Sequence, residues 1–232
     1  MSDKDASTPR VYLARHGTTS QPTSSLREKK NLLTFPTPGE TEWTKNGRYT
    51  GTTELSLTEN GVQQVLATGK ILVGPGKLIS PARLAHIFIS PRLRAQQTFS
   101  LLFSSSLPEG DQEFLTKEGN VSTTDSLAEW DYGAYEGLLT KEIRAGRKER
   151  GLDAEREWDI WRDGCEGGEE PMQVMERLDG LVREIREIQG PWMHGGKGVD
   201  VLLVCVFLSI DQLIIKSSRW EMSASFCNEG RC

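Results

Sequence analysis

Arg15-His16-Gly17 closes a short apolar run, residues 11–14, that reads as a β-strand. The carboxyl end of a parallel strand is where α/β folds place their ligands. These three residue types suit a phosphate. An imidazole nitrogen can attack a phosphoryl group and carry it as phosphohistidine. A neighbouring guanidinium can grip the phosphate oxygens in bidentate fashion, and Gly17 lets backbone and phosphate approach closely. Taken alone, the triplet also fits a structural histidine after a strand.

Two further stretches carry chemistry. The apolar run 87–89 leads into Ser90-Pro91-Arg92-Leu93-Arg94-Ala95-Gln96-Gln97-Thr98, a second arginine pair at a strand-to-helix junction. The helix amino end there adds partial positive charge for an anion. The bland reading is two solvated arginines opening a helix. Later, Glu129-Trp130-Asp131-Tyr132-Gly133 is followed by Tyr135-Glu136-Gly137. Carboxylates beside aromatics and glycines suit a pocket wall in which a carboxyl can stay protonated for acid catalysis. A charged turn is the alternative.

The elements that must position these residues alternate. Residues 1–9 read as a disordered tail, and 18–39, rich in Thr, Ser and Pro without a sustained apolar period, as a long loop. Gly47 and Gly51 bracket Arg48-Tyr49-Thr50 in a turn. Thr58 is an N-cap for a helix striped by Val62, Val65, Leu66 and Leu72, and Ala95, Phe99, Leu102 and Phe103 face inward from the next helix. Residues 104–120 read as loop and 141–150 as a charged, solvated helix. Trp158 and Trp161 pack. Pro171 opens a helix with a core stripe of Met175, Leu178, Val182 and Ile185, and residues 201–204 form a third strong strand. Three apolar strands alternating with helices predict an α/β three-layer sandwich with a mainly parallel sheet.

Bulk properties narrow the function classes. A chain of 232 residues suits one ordinary α/β domain. Its net charge of −5 gives no general attraction to nucleic acid or anionic lipid. Cys165, Cys205, Cys227 and Cys232 form no CxxC pair, so neither a disulfide framework nor a zinc site is indicated. The polar start is no signal peptide, and the longest apolar run, 201–210, is too short to span a bilayer. A cytoplasmic setting is expected, with the nucleus as an alternative and self-association left open.

Taken together, RHG after the first strand, SPRLRAQQT after the second and LAEWDYG later resemble the histidine phosphatase superfamily, which includes the cofactor-dependent phosphoglycerate mutases. GRYTG (47–51) and the stretch 129–169 look closest to the fungal sedoheptulose-1,7-bisphosphatase branch. The resemblance covers residues 10–17 and 40–205. It implies a histidine phosphatase domain over 10–205 with a phosphoglycerate mutase-like fold, carboxyl-terminally incomplete. It also implies that His16 is the nucleophile, that Arg15 and Arg94 hold the phosphoryl oxygens beside Gly17, and that Glu129 protonates the leaving sugar oxygen. Tyr49, Thr50, Trp130, Asp131 and Tyr132 would line the pocket of a small sugar phosphate. No metal and no cofactor is implied, because arginine and histidine cations do that work.

Two departures matter. The family reads RHG-x-TEW without a break, whereas here 18–39 separate Gly17 from Glu40-Thr41-Glu42-Trp43. The family also places another histidine directly after the third strand, where this chain has Val206. His194-Gly195 resembles that missing motif but precedes the strand, and His86 lies on the second strand. Residues 206–232 carry no family motif. Three alternatives follow from this: an impaired phosphatase, a phosphate-binding pseudo-enzyme, or the translated product of two retained introns. A mutase is a further alternative, although its segment tends to read ERHYG rather than EWDYG. If introns were retained, transcript reads will join the Gly17 codon directly to that of Glu40. Uniform coverage through both segments, with no spliced form, would refute retention.

Overall fold

The strands β1 (Val11–His16), β2 (Arg27–Lys29), β3 (Leu32–Thr37), β4 (Leu84–Ile89), β5 (Val121–Thr123) and β6 (Asp200–Cys205) form one sheet in the order β2-β3-β1-β6-β4-β5. Only β2 runs antiparallel. The computed structural model describes residues 9–16, 27–29, 32–37, 39–104, 115, 119–192 and 199–205; for 15, 16, 27–29 and 32–37 it describes the backbone alone. The expected tail 1–8, Gly17, His194 and 206–232 lie outside the described residues.

The helices are α1 (Glu42–Asn46), α2 (Glu59–Leu72), α3 (Leu93–Ser104), α4 (Thr140–Glu149), α5 (Ile160–Asp163) and α6 (Pro171–Gln189). Alternate side chains of the strands feed two cores. Tyr12, Ala14, Ile87, Ile89, Leu202 and Val204 meet α2 and α3 on one face. Val11, Leu13, Phe88, Val201 and Leu203 meet α6 and the 127–165 region on the other. β1, β4 and β6 are buried on both faces, as parallel strands covered by helices must be. The three-layer α/β expectation holds.

Local signals explain the helix ends. Thr58 Oγ1 accepts from the Gly61 amide at 3.1 Å, the predicted cap. Thr41 and Thr44 cap α1 reciprocally, and Gly47, at φ 70°, ends it in the left-handed conformation. Along α6 the buried stripe is Val174, Leu178, Leu181 and Ile185. Met175 and Val182, expected in the core, are half-buried instead. The helix is rotated so that its widest apolar side meets the sheet.

The expectation of a structureless loop over 18–39 needs correction. Residues 27–29 and 32–37 are strands, and β3 pairs in parallel with β1 from Val11↔Leu32 to His16↔Thr37. Pro36 is one of the prolines of this segment. It lies past the end of β2, which pairs only with residues 32–34 of β3, so its missing N–H interrupts no ladder on that side. The segment leaves the end of β1 and returns at the same edge of the sheet, since β3 runs parallel to β1.

A buried polar cluster pins the opposite, amino-terminal edge. Asp200, 1% exposed, accepts from the Arg10 amide at 3.0 Å through Oδ1. Its Oδ2 accepts from Arg10 Nη2 and from Arg83 Nε, both at 3.1 Å. Gln189 Nε2 donates to Arg10 O at 3.0 Å and to Val199 O at 3.1 Å. Tyr12 donates to Leu78 O at 2.8 Å, and burial together with the Asp200 charge pushes its phenol above the usual range. These bonds hold β1 level with β6. Removing one partner of a buried pair strands the other's charge. Asp200→Ala is therefore expected to lower the unfolding free energy by about 3 kcal/mol, measured by urea denaturation.

Candidate functional site

Parallel pairing brings four strand ends to one edge. His16 is the last residue of β1, and Arg15 is level with Cys205, the last of β6. The Ser90 amide donates to Val204 O and the Thr124 amide to Ile89 O, each at 2.9 Å, so the exit from β4 lies beside the end of β6 and the exit from β5 beside the end of β4. Arg94 stands in the first turn of α3, directly after β4. Glu129 follows β5 after a single 3-10 turn, Asp125–Leu127.

Arg94 is 1% exposed, and its guanidinium is directed at backbone. Nη2 donates to Thr50 O at 2.9 Å and Gly51 O at 3.1 Å, and Nη1 donates to Thr53 O at 3.1 Å. Burial lowers its pKa, and the charges of Glu129, Glu54 and Glu136 oppose that shift. From the other side, Glu136 accepts from the same segment. The Gly51 amide lies 2.9 Å and 3.0 Å from its two carboxylate oxygens, and the Thr53 amide donates to Oε1 at 3.0 Å. One peptide stretch, 50–53, thus hangs between a cation that takes its carbonyls and an anion that takes its amides.

The amino end of α3, expected to attract an anion, already meets one from this chain. The Leu93 amide donates to Glu54 Oε2 at 2.7 Å, and Arg92 Nη1 lies 3.5 Å from Glu54 Oε1.

Glu129 is 2% exposed; its Oε1 accepts from the Trp130 amide at 2.9 Å and from the Tyr132 hydroxyl at 3.4 Å. Full burial and then the Glu129 charge raise the Tyr132 pKa well above the usual phenol value, so its hydroxyl remains a donor. The Tyr49 ring packs 4.8 Å from that of Tyr132, and the Tyr49 hydroxyl lies 3.2 Å from Thr140 Oγ1. Thr50 is buried, and its Oγ1 donates to Arg48 O at 3.2 Å. Tyr49, Thr50, Arg94, Glu129 and Tyr132 therefore form one contiguous group.

Trp130 and Asp131 also make contacts within the chain. The Trp130 indole donates to Glu169 O at 2.9 Å and packs edge-on against Trp161. Asp131 accepts from the Gly133 amide at 2.9 Å, while its own amide donates to Glu169 Oε2 at 2.9 Å. Glu169 is gripped in turn by Arg177 at 2.8 Å and 3.1 Å. These contacts tie the 129–133 strip to the 164–169 turn. Sequence reasoning had Glu136 as a wall carboxylate and missed Glu169; an acidic residue beside glycines was the available signal for both.

Burial pushes the Cys165 thiol up to about 12, so it is no nucleophile. His86 Nε2 lies 2.8 Å from Ser122 Oγ on the sheet, and burial lowers its pKa. Among the described residues, no group of His, Cys, Asp and Glu could hold a metal ion, and no helix is long and apolar enough to cross a membrane.

The family model for the histidine phosphatase superfamily, branch 1, matches residues 39–205. A sedoheptulose 1,7-bisphosphatase of Saccharomyces cerevisiae is 42% identical over 165 residues, covering 71% of this chain and 59% of that protein. An acid phosphatase of Mycobacterium tuberculosis is 37% identical, covering 62% of this chain and 58% of that protein. This chain thus spans about three fifths of the length of these relatives. The solved structure of a Mycobacterium tuberculosis open reading frame overlays with a TM-score of 0.59 at 28% identity, covering 90% of this chain and 79% of that one. An alpha-ribazole phosphatase from Shigella flexneri shares the fold, with a TM-score of 0.57 at 19% identity, 89% of this chain and 78% of that one.

The contact between 50–53 and the 129–132 strip needs glycine at position 51. A Cβ there would lie 2.3 Å from Trp130 O and 2.9 Å from a Tyr132 ring carbon. Gly51→Ala is expected to lower stability by about 2 kcal/mol through overpacking, measured by thermal unfolding.

Proposed function

The chain belongs to the histidine phosphatase superfamily, branch 1, and from that premise we propose that it is a metal-independent phosphomonoesterase acting on a sugar bisphosphate of the sedoheptulose 1,7-bisphosphate type. The observation that carries this reading is the joining of Tyr49, Thr50, Arg94, Glu129 and Tyr132 into one group at the sheet edge where β1 ends in His16. The 42% identical relative named sedoheptulose 1,7-bisphosphatase supports the substrate class.

In this reading an imidazole nitrogen of His16 attacks phosphorus, and the bond from phosphorus to the sugar oxygen breaks. Glu129 gives its proton to that departing oxygen and afterwards takes one from the water that attacks phosphohistidine. Inorganic phosphate leaves and His16 is regenerated. Arg15, Arg94 and the Gly17 backbone hold the phosphoryl oxygens, on which negative charge concentrates. Tyr49, Thr50 and Tyr132 contact the sugar, with Trp130 and Asp131 behind them. No cofactor takes part, the setting is cytoplasmic or nuclear, and self-association stays open.

The family match begins at residue 39, so Arg15, His16 and Gly17 lie outside it, separated by 18–39. Val206 offers no donor where the family has a histidine. Loss of one such contact costs roughly 10²–10³-fold in rate. The full chain is thus an impaired enzyme. A phosphate binder without turnover is the second reading, favoured by Val206 in place of the family's histidine. A product of retained introns fits the same departures.

Phosphate release from sedoheptulose 1,7-bisphosphate is expected to be slow in the full chain. It should rise at least about 100-fold in a version lacking 18–39 and carrying Val206→His. Labelled phosphate should be trapped on His16 of that version and vanish in His16→Ala. Equal rates in both versions would remove the assigned cost of the departures. Label on another side chain would remove the mechanism. Interconversion of phosphoglycerates in place of hydrolysis would make it a mutase.

A further inference from the structure

Glu136 has a role that the proposed chemistry does not use. Its carboxylate receives the Gly51 amide on both oxygens, at 2.9 Å and 3.0 Å, and the Thr53 amide on Oε1 at 3.0 Å. The carbonyls of those same two residues, with that of Thr50, are the acceptors of the Arg94 guanidinium, at 2.9–3.1 Å. Residues 51 and 53 are therefore each bonded at both ends, by amide to Glu136 and by carbonyl to Arg94.

A guanidinium is a rigid, planar fork, so its orientation follows the positions of its acceptors. Those acceptors are peptide carbonyls, and the Gly51 N–H shares one planar peptide unit with the Thr50 C=O, so fixing that N–H limits where this carbonyl can point, while the Thr53 amide holds the chain between the Gly51 and Thr53 carbonyls. Packing gives the segment little other freedom. Gly51 sits against Trp130 O and the Tyr132 ring too closely to admit a Cβ, and the Tyr49 and Gly137 backbones are bonded through the Gly137 amide and Tyr49 O at 2.8 Å. The last bond ties the segment to the residue next to Glu136.

We propose that Glu136 is a positioning residue that sets Arg94 for an oxyanion ligand through the 50–53 peptide, without touching that ligand itself. This rests on the phosphatase reading only in taking the ligand to be a phosphoryl group. Glu136 also adds a negative charge two hydrogen bonds away from Arg94. That charge stabilises the buried cation without competing for the ligand.

The test uses the full chain and two readouts that need no turnover. In Glu136→Ala, hydrogen exchange at the Gly51 and Thr53 amides should accelerate roughly 30-fold while the Ile87 and Leu203 amides hold their wild-type rates. Affinity for inorganic phosphate, followed by calorimetric titration, should fall about tenfold. Glu136→Gln, which keeps one acceptor oxygen, should recover most of both losses. In an Arg94→Lys background, Glu136→Ala should weaken phosphate binding by less than about threefold, because the group it sets is already gone.

Unchanged exchange at Gly51 and Thr53 would overturn the proposal. Faster exchange with unchanged phosphate affinity would also overturn it, by making Glu136 a loop anchor alone. Equal losses in the wild-type and Arg94→Lys backgrounds would show that Glu136 acts elsewhere, and a wild-type chain that binds no phosphate would leave Arg94 no ligand to be set for. If the exchange and affinity pattern appears in a chain that releases no phosphate from any sugar ester, the positioning role holds and the phosphatase reading fails.

Discussion

Parallel pairing of β1, β6, β4 and β5 is the constraint from which the rest of this molecule follows. Parallel strands send their carboxyl ends to one edge, so every segment leaving them starts from neighbouring points. Arg94 and Glu129 are far apart in the chain, yet each follows its own strand by only a few residues. The register that brings these exits together is held from the other edge. There Asp200 binds the backbone and side chain of Arg10 and the side chain of Arg83. The two edges divide the work: a buried ion cluster fixes alignment at the amino ends, and the turns that leave the carboxyl ends gather Arg94, Glu129 and Tyr132.

At the carboxyl edge, precision comes from backbone contacts that only glycine permits. Gly51 lies against Trp130 O, and Gly168 against Asp131 O, at distances where a Cβ has no room. Gly133, at φ 49°, lies equally close to the Glu166–Gly168 backbone. Three separate turns therefore meet main chain to main chain, where buried amides and carbonyls need hydrogen-bond partners. Glu136 and Arg94 supply those partners for one turn, and Glu169 supplies them for another. Much of the charge around the site holds loops in place.

Part of the segment 18–39 is built into the sheet. It begins directly after the end of β1 and rejoins the sheet as β3, parallel to β1, with β2 outside it. A strand running parallel to β1 delivers the chain back to the edge it left. Residues 41–47 follow with a reciprocal capping box and a left-handed Gly47. Long insertions placed this way cost little closure entropy.

The apolar runs at 11–14, 87–89 and 201–204, alternating with helical stripes, predict the three-layer architecture, because a run buried on both faces must be covered by helices. Thr58 announced a helix start by its local hydrogen-bond requirement alone, and Gly47 announced a turn. The motifs around Arg94, Glu129 and Tyr132 were legible for the same reason: their residue types are unusual beside strand ends. What tertiary structure decided was pairing. β3 was invisible because Leu32–Thr37 contains Pro36 and has no apolar period of its own; only the edge of β1 makes it a strand. The choice of Val174 and Leu181 over Met175 and Val182 on α6 depended on how that helix is rotated against the sheet. The partners of Asp200, Glu136 and Arg94 lie tens to nearly two hundred residues away. A sequence records the chemistry and local geometry of each group, whereas long-range hydrogen bonds exist only once the sheet has set which turns are neighbours.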